Sequence, residues 1–600
     1  MNFVKKLLSL FSFVYTKLEN PCVFLLYRVF TSIYYDNRGE DMRATDALVQ
    51  MLEKAGVHTI FGVCGDTTLP FYESLYLGRS SINHVLTRDE RSASFMADAY
   101  ARISGNVGVC EGPSGGGVTY IIPGVAEANQ SSVPVLAINT DIHNRHRGRG
   151  TLTELDQDAI FKPITKWTKT LSRGEELPGA VRQAFKRATT GSLGAVHLGL
   201  PLDVQESNVS DDDIHIDPGY SRYPADRVAP GPDAVRKSAD MLLESRNPVI
   251  VAGAGVIRSG AWAELKTLVD LLGCPVATSI SGKGALAETH PYALGVIGGN
   301  GGLAYRHEFV TKADLVFFIG CHAGSVTTDK WTLPSDGSTN VLQLDIDPDH
   351  IGINYHLRQG IEADAKLGLT AIVEEIEDRL GGRRSTKVDP EAITEKRRRQ
   401  ISEIRAFQSN AMPIRPERFV TELSRVLPED AVILCDAGTP TPYLSAYLRL
   451  PRAGRWFVSP RAHGALGYAL PATVGAFHAL PKSKIIGLMG DASFAMSVGE
   501  LETIVRLKLP IVLIVLSNSC YGWIKAGQKA HGYHYFGVDF SNTEHAQIAK
   551  AFGLKAVKVE DPKELNHVLR NAMFDDSPVL VEVVVQPLHL LKPPVSKWIA

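Results

Sequence analysis

KIIGLMGDASFAMSVGELETIVRLKLPIVLIVLSNSCYGW, residues 484–523, decides the fold. KIIGLMG is a short apolar run ending on glycine, the pattern of a strand buried on both faces. SVGELETIVRLKL follows as a helix, and PIVLIVLSN is a second strand run. A strand, a crossover helix and a further strand place the two strands side by side and parallel. The first ends at Gly490-Asp491-Ala492-Ser493 and the second at Asn518-Ser519-Cys520-Tyr521-Gly522. Asp491 and Asn518, 27 residues apart, therefore share the carboxyl edge of the sheet, where open α/β folds bind ligands. A carboxylate and an amide oxygen there suit Mg²⁺, which takes hard oxygen ligands and completes its octahedron with phosphate oxygens. A helix N-terminus near Ser493 would aid a diphosphate. Taken singly, Asp491 also reads as a helix cap and Asn518 as a turn residue; their pairing on adjacent strand ends favours the metal–phosphate reading.

The same alternation runs outward. TIFGVCG (59–65), GVCEGPSGGG (108–117), VPVLAINT (133–140) and AVHLGLP (195–201) predict the strands of a first unit, preceded by a helix with Leu48, Met51, Leu52 and Ala55 on one face. NPVIVAGAG (247–255), PVATSI (275–280), DLVFFIG (314–320) and VLQLDID (341–347) predict a second, and AVILCDAG (431–438) and PVLVEVVVQP (578–587) complete the third. The reading is α/β, with three doubly wound parallel-sheet domains at 42–205, 230–380 and 413–590. Residues 206–234 read as a linker, and the basic helical stretch ITEKRRRQISEIRAF (393–407) lies in a second connector.

Six hundred residues exceed one core. A formal net charge of −2 gives no basic field for nucleic acid. Seven cysteines without a CxxC pair fit neither a disulfide framework nor a zinc site, and suit a reduced, cytoplasmic protein. Residues 1–41 are apolar and aromatic but interrupted by Lys17 and Glu19. Their uncharged stretches fall short of the roughly 20 residues that span a bilayer, and no cleavage site is evident. They read as an N-terminal extension ahead of a globular start at Met42, with a membrane-surface helix or a transit segment as alternatives.

On these residues the sequence resembles the thiamine-diphosphate enzyme superfamily, in its acetolactate synthase-like group (large catalytic subunit), whose signature is GDG followed by an asparagine at about this distance. The resemblance implies pyrimidine-binding, central Rossmann-like and diphosphate-binding domains, with thiamine diphosphate and Mg²⁺ as cofactors. It places the metal at Asp491, Asn518 and Cys520, and the cofactor against Gly490, Ala492, Ser493 and Asn518. The chain reads GDA, not GDG; if that turn needs a positive φ or close backbone approach, the Ala492 methyl costs about 1 kcal/mol or more.

Glu90, in Arg88-Asp89-Glu90 ahead of ASFMADAYARISG, reads plainly as an acid in a helix's first turn. The resemblance makes it catalytic: it hydrogen-bonds N1′ of the aminopyrimidine and promotes the imino tautomer, whose 4′-nitrogen removes the thiazolium C2 proton. In SPRAHGALGYALPATVGA (459–476), Leu466 matches the bulky residue beneath the bent cofactor, though a core leucine on a helix is the plainer reading; Arg461 and His463 precede it and are candidates for facing substrate. In CDAGTPTP (435–442), Gly438 and Thr439 match diphosphate contacts, while Glu500 reads as structural. The resemblance further implies a homodimer or homotetramer, with Glu90 of one subunit serving the cofactor of another.

The chain also departs from that group. Leu152-Thr153-Glu154 stands where a Phe-Gln-Glu run is typical, and FFIGCHAGSVTTDKW (317–331) has Cys321 and His322 where a flavin-binding arginine is typical, which leaves FAD open. SVTTDKW is similar to a run in diketone-cleaving hydrolases of the superfamily. GPSGGGVTY (112–120) lacks the paired histidines of pyruvate decarboxylases, and the basic loop DIHNRHRGRG (141–150) reads either as an acidic-substrate contact or as a solvated loop. The leading expectation is a carboligase or decarboxylase acting on a 2-oxo acid such as pyruvate. The alternative is a lyase or hydrolase cleaving a diketone or 2-hydroxy ketone. A nicotinamide dehydrogenase, suggested by GAGVIRSG (253–260), and a non-catalytic regulator stand behind these.

Overall fold

The computed structural model describes residues 41–78, 81–335, 337 and 339–596. The expectations for residues 1–40 lie outside them. Each of the three units is built on a six-stranded, wholly parallel sheet flanked by helices.

The first sheet contains β2 (Thr59–Gly62), β3 (Asn83–Leu86), β4 (Gly108–Gly112), β5 (Val135–Asp141), β6 (Trp167–Thr170) and β7 (Val196–Pro201), in the order β3-β2-β4-β5-β7-β6. The second contains β9 (Pro248–Ala252), β10 (Val276–Thr278), β11 (Ala293–Val296), β12 (Leu315–Ile319), β13 (Asn340–Asp345) and β14 (Gln359–Glu362), in the order β11-β10-β9-β12-β13-β14. This is the Rossmann order 3-2-1-4-5-6. The third contains β15 (Val432–Cys435), β16 (Phe457–Val458), β17 (Ile485–Gly490), β18 (Val512–Ser517), β19 (Lys555–Val559) and β20 (Val579–Val584), in the order β16-β15-β17-β18-β20-β19. Counted within their own units, the first and third sheets share one topology, 2-1-3-4-6-5.

Stretch 206–234 is more than a linker. β8 (Asn208–Ser210) pairs antiparallel with β1 (Asp41–Arg43), and the helix Pro232–Glu244 starts inside it. The ladder closes the first unit on itself, so Asp41, ahead of Met42, is already part of the fold.

The first and third units share a core. Phe95, Met96 and Ala99 on the helix Glu90–Ser104 pack with Tyr468, Ala472 and Val474, the last two on the helix Ala469–Ala479. The helices approach so closely that a Cβ on Gly475 would stand 2.1 Å from the Met96 carbonyl oxygen. Only glycine fits there. This contact fixes the helix that begins at Glu90 against the helix that follows Leu466.

Candidate active site

In the third sheet the strand order reverses between β15 and β17, the switch point at which doubly wound sheets bind ligands. A cavity of about 380 Å³ opens there. Gly438, Thr439, Leu466, Gly490, Asp491, Ala492, Ser493 and Cys520 all line it. The helices Pro440–Tyr447, Asp491–Ser497 and Gly522–Ala530 start at its wall, so three positive dipole ends and their unpaired N–H groups converge on one space. A Cβ built on Gly438, whose φ is +106°, or on Gly490 would meet nothing within 4 Å. The glycines thus leave an open floor, which a diphosphate on those N–H groups fits.

Asp491 is buried, and its carboxylate is tightly placed. Oδ2 accepts from the backbone N–H groups of Asn518 and Ser519, each at 2.7 Å, and Oδ1 from that of Ala492 at 2.9 Å. Burial raises its pKa, while these N–H groups act the other way. A carboxylate desolvated by burial without a cation beside it is what a divalent ion would complete. Asn518 lies against Asp491, but its Oδ1 accepts from the Cys520 N–H and Sγ–H, both at 3.3 Å, and it is not among the residues lining the cavity. The two expected residues are adjacent, but only Asp491 faces the cavity. Cys520 is buried, its thiol pushed up to about 11 chiefly by burial. As a neutral thiol it leaves its backbone carbonyl as the group suited to Mg²⁺.

Ala492 needs no special conformation. It lies in the first turn of the helix Asp491–Ser497 and is absent from the positive-φ residues, so the missing glycine costs no backbone strain there. Leu466 is not a helical core residue: it is half-buried in the loop before Ala469 and faces the cavity. Arg461 also lines the cavity, whereas His463 is exposed and does not.

Glu127 was not evident from sequence. It is fully buried, and its carboxylate accepts from the successive backbone N–H groups of Arg461 (3.1 Å), Ala462 (3.1 Å) and His463 (2.7 Å), from Arg102 (3.1 Å) and from Ser131 (2.8 Å). Arg102 also binds Asp98 at 2.8 Å, and Tyr468 donates to the same Asp98 oxygen at 2.6 Å. A buried ionic network of the first unit therefore holds the loop that carries Leu466.

Glu90 is buried at the start of its helix, and burial raises its pKa. A Cβ on Gly112 would lie 3.3 Å from its Cγ, and one on Gly117 3.2 Å from its Oε1; the glycine loop makes room for the acid. Glu90 does not line the cavity of its own chain. Glu500 accepts from the Arg88 N–H at 2.9 Å and from Thr503 at 2.6 Å, tying the units together. The segment after β5 packs on the glycine loop through Ser114 and Thr153, whose hydroxyls are 2.7 Å apart. Within it Arg147 pairs with Asp141 at 2.6 Å, and Leu152 is exposed.

The central unit contributes the cavity's far wall, including Ser325, Val326, Asp329 and Lys330 of the SVTTDKW run. At its own glycine turn a Cβ on Gly253 would stand 2.1 Å from the Gly320 oxygen and one on Gly255 2.6 Å from the Gly320 Cα. These glycines serve packing between the turn and the end of β12. His322 stacks on His350 with centroids 3.6 Å apart.

A Rossmann-type central unit between two units of one shared topology, with a switch point of converging helix N-termini beside a buried aspartate, is the architecture of an enzyme that holds a diphosphate-bearing cofactor. Comparison with known proteins names it. The thiamine pyrophosphate enzyme N-terminal TPP-binding domain matches residues 42–160, the central domain 235–372 and the C-terminal TPP-binding domain 436–583. The chain belongs to the thiamine pyrophosphate enzyme family. It is 33% identical to the "Probable acetolactate synthase large subunit" of Methanocaldococcus jannaschii, over 92% of this chain and 93% of that one. It is 30% identical to the acetolactate synthase large subunit of Cyanidium caldarium, over 90% and 92%. It is 29% identical to the glyoxylate carboligase of Escherichia coli O157:H7, over 91% and 93%. The chain is thus a thiamine-diphosphate-dependent enzyme of the acetolactate synthase-like kind, acting on small molecules. No helix among the described residues is long and apolar enough to cross a membrane.

Proposed function

We propose that the chain is an Mg²⁺-dependent carboligase or decarboxylase that takes a 2-oxo acid such as pyruvate as donor. The observation that carries this reading is the glycine-floored cavity at the third unit's switch point, where three helix N-termini meet Asp491. Asp491, Asn518 and the Cys520 carbonyl would hold the metal, and the N–H groups around Gly438, Thr439, Gly490, Ala492 and Ser493 the diphosphate. Leu466 would support the cofactor from below. When bound, thiamine diphosphate supplies a nucleophilic carbon and a sink for the electron pair released when a C–C bond breaks. Glu90, its pKa raised by burial, would hydrogen-bond the cofactor's pyrimidine nitrogen and share a proton with it. Arg461 stands at the cavity wall to meet a substrate carboxylate.

A lyase or hydrolase acting on a diketone or 2-hydroxy ketone is the second reading, favoured by the SVTTDKW residues that line the cavity. Calorimetric titration of the cofactor-free chain with thiamine diphosphate, with and without Mg²⁺, followed by a product assay, tests both. Tight binding only with the metal, lost in Asp491→Asn, is expected, with CO₂ released from a 2-oxo acid. Two carbonyl fragments without CO₂ would move the second reading ahead, and metal-independent binding would overturn the metal assignment.

A further inference from the structure

A cavity of about 890 Å³ lies away from the cofactor pocket, where the central unit, the connector helix Pro390–Ser402 and the third unit meet. Six arginines line it: Arg306, Arg397, Arg398, Arg405, Arg425 and Arg449. Glu288 is the one carboxylate among its lining residues, and it is already neutralised. The buried Lys283 ammonium donates to both its oxygens, at 2.7 and 2.6 Å, and the Leu450 N–H to one of them at 2.7 Å.

The inner three guanidiniums find only neutral acceptors. Arg306 is buried and donates to the carbonyls of Val296 (2.9 Å) and Ala446 (2.7 Å) and to the Tyr305 hydroxyl (3.2 Å). Arg397 donates to the same hydroxyl at 3.3 Å and to the Ala293 carbonyl. Arg449 donates to the Glu288 carbonyl at 3.0 Å. Burial and then the charge of Arg397 hold Arg449 below its ordinary pKa; against the effect of burial, Arg306 and Arg397 hold the Tyr305 phenol below its own. Clustered cations whose nearest carboxylate, Glu288, is already shared with the Lys283 ammonium are costly to keep together. The rim adds more positive charge, where only Arg425 and Arg398 have glutamate neighbours, Glu422 at 2.7 Å and Glu391 at 3.7 Å. Between the cations lies an apolar surface: Leu294, Ile401 and Val420, with Phe407 set edge-on to Tyr447, centroids 4.9 Å apart. The volume falls in the range of organic-ligand sites.

We propose that this cavity binds an organic polyanion of the nucleoside polyphosphate class, its phosphates on Arg306, Arg397 and Arg449 and its base on the Phe407–Tyr447 surface. The site is coupled to the cofactor pocket by one rigid element. The helix Pro440–Tyr447 starts beside Thr439 in the cofactor pocket and ends at Ala446 and Tyr447 in this one, about 12 Å of helix. The proposal does not depend on which substrate the enzyme takes.

The full chain, saturated with thiamine diphosphate and with Mg²⁺ in excess, is titrated calorimetrically with ATP and separately with inorganic triphosphate. One ATP per chain is expected, bound more weakly by about tenfold when salt rises from about 50 to about 200 mM. The double variant Arg397→Gln/Arg449→Gln should lose binding about tenfold or more while keeping its cofactor affinity and Tm. If that variant does not fold, the rim pair Arg398→Gln/Arg405→Gln should still weaken ATP measurably. Triphosphate binding as tightly as ATP would remove the nucleoside from the proposal and leave the polyanion site. No binding of either probe to the wild type, or equal binding to the variants, overturns it.

Discussion

Asp436 is fully buried at the end of β15, directly before the Ala437-Gly438-Thr439 turn of the cofactor cavity. Its Oδ1 accepts from the Tyr468 N–H at 3.1 Å, and Oδ2 has no partner. Burial pushes its pKa up to about 7 from the ordinary 3.8. The folded state therefore holds this proton more tightly than the unfolded chain. The stabilisation is complete below the unfolded value and is lost as pH rises through about 7. Asp436→Asn removes the titration while keeping an acceptor for Tyr468. Thermal denaturation of the cofactor-free proteins from pH 5 to 8 should show the wild type losing stability relative to the variant, by a few kcal/mol at most. Parallel pH profiles would show that the carboxyl does not titrate there. Glu90 gives a second residue-scale prediction. Glu90→Gln should leave metal-dependent cofactor binding intact and slow exchange of the cofactor's C2 proton, followed by NMR, on the order of 10²- to 10⁴-fold. Wild-type exchange in that variant would remove Glu90 from the chemistry.

The loop 461–467 has no regular structure of its own, and its shape comes from Glu127 of the helix Ile122–Gln130. Burial alone would raise the Glu127 pKa; Arg102 and the backbone N–H groups it accepts reverse this and hold the carboxyl below the ordinary 4.5. Glu127→Gln should cost about 2–4 kcal/mol in chemical denaturation and weaken cofactor binding through the displaced Leu466. Because the folded value is depressed, the wild type's advantage exists above the unfolded value and should shrink as pH falls below 4.5. An advantage that stays constant into acid would assign it to shape rather than charge. Sequence could not reveal this residue's role, since the loop it holds lies more than 300 positions away and binds it through main-chain groups that carry no side-chain signature. The strands show the same limit. The twelve that sequence predicts are the four inner strands of each sheet, doubly covered and therefore mainly apolar. The six it misses, β3, β6, β11, β14, β16 and β19, are the sheet edges. NHVL, WTKT, QGIE and KAVKV carry polar residues because solvent reaches them, while β11 and β16 are buried but only four and two residues long. The site was legible where strand ends carry their own chemistry, at Asp491 and Gly438. It was not where a side chain's orientation decides, at Asn518.

At the scale of the molecule, the first and third units repeat one strand order on either side of a Rossmann-type unit, so each offers the same kind of carboxyl edge. The third unit's edge holds the cavity with Asp491, and the first unit's edge holds Glu90 against its glycine loop. In one chain the two do not meet, since Glu90 is not among the residues lining the cavity. We propose that a cofactor on Asp491 is served by the Glu90 of a second copy, two copies related by a twofold axis forming two such sites. Complementation tests this arrangement. Glu90→Gln and Asp491→Asn should each be inactive alone. When they are mixed, dissociated and reassembled in equal amounts, half the dimers are mixed, and in each of these one site joins an intact Glu90 to an intact Asp491. Activity should return to about a quarter of the wild-type level, because one in two sites is restored in one in two dimers. Recovery of that size, appearing only after subunit exchange, would place the reaction between chains. A mixture as inactive as its components would place Glu90 and Asp491 of one chain in one site, and a closing movement of the first unit over the third would then have to bring them together.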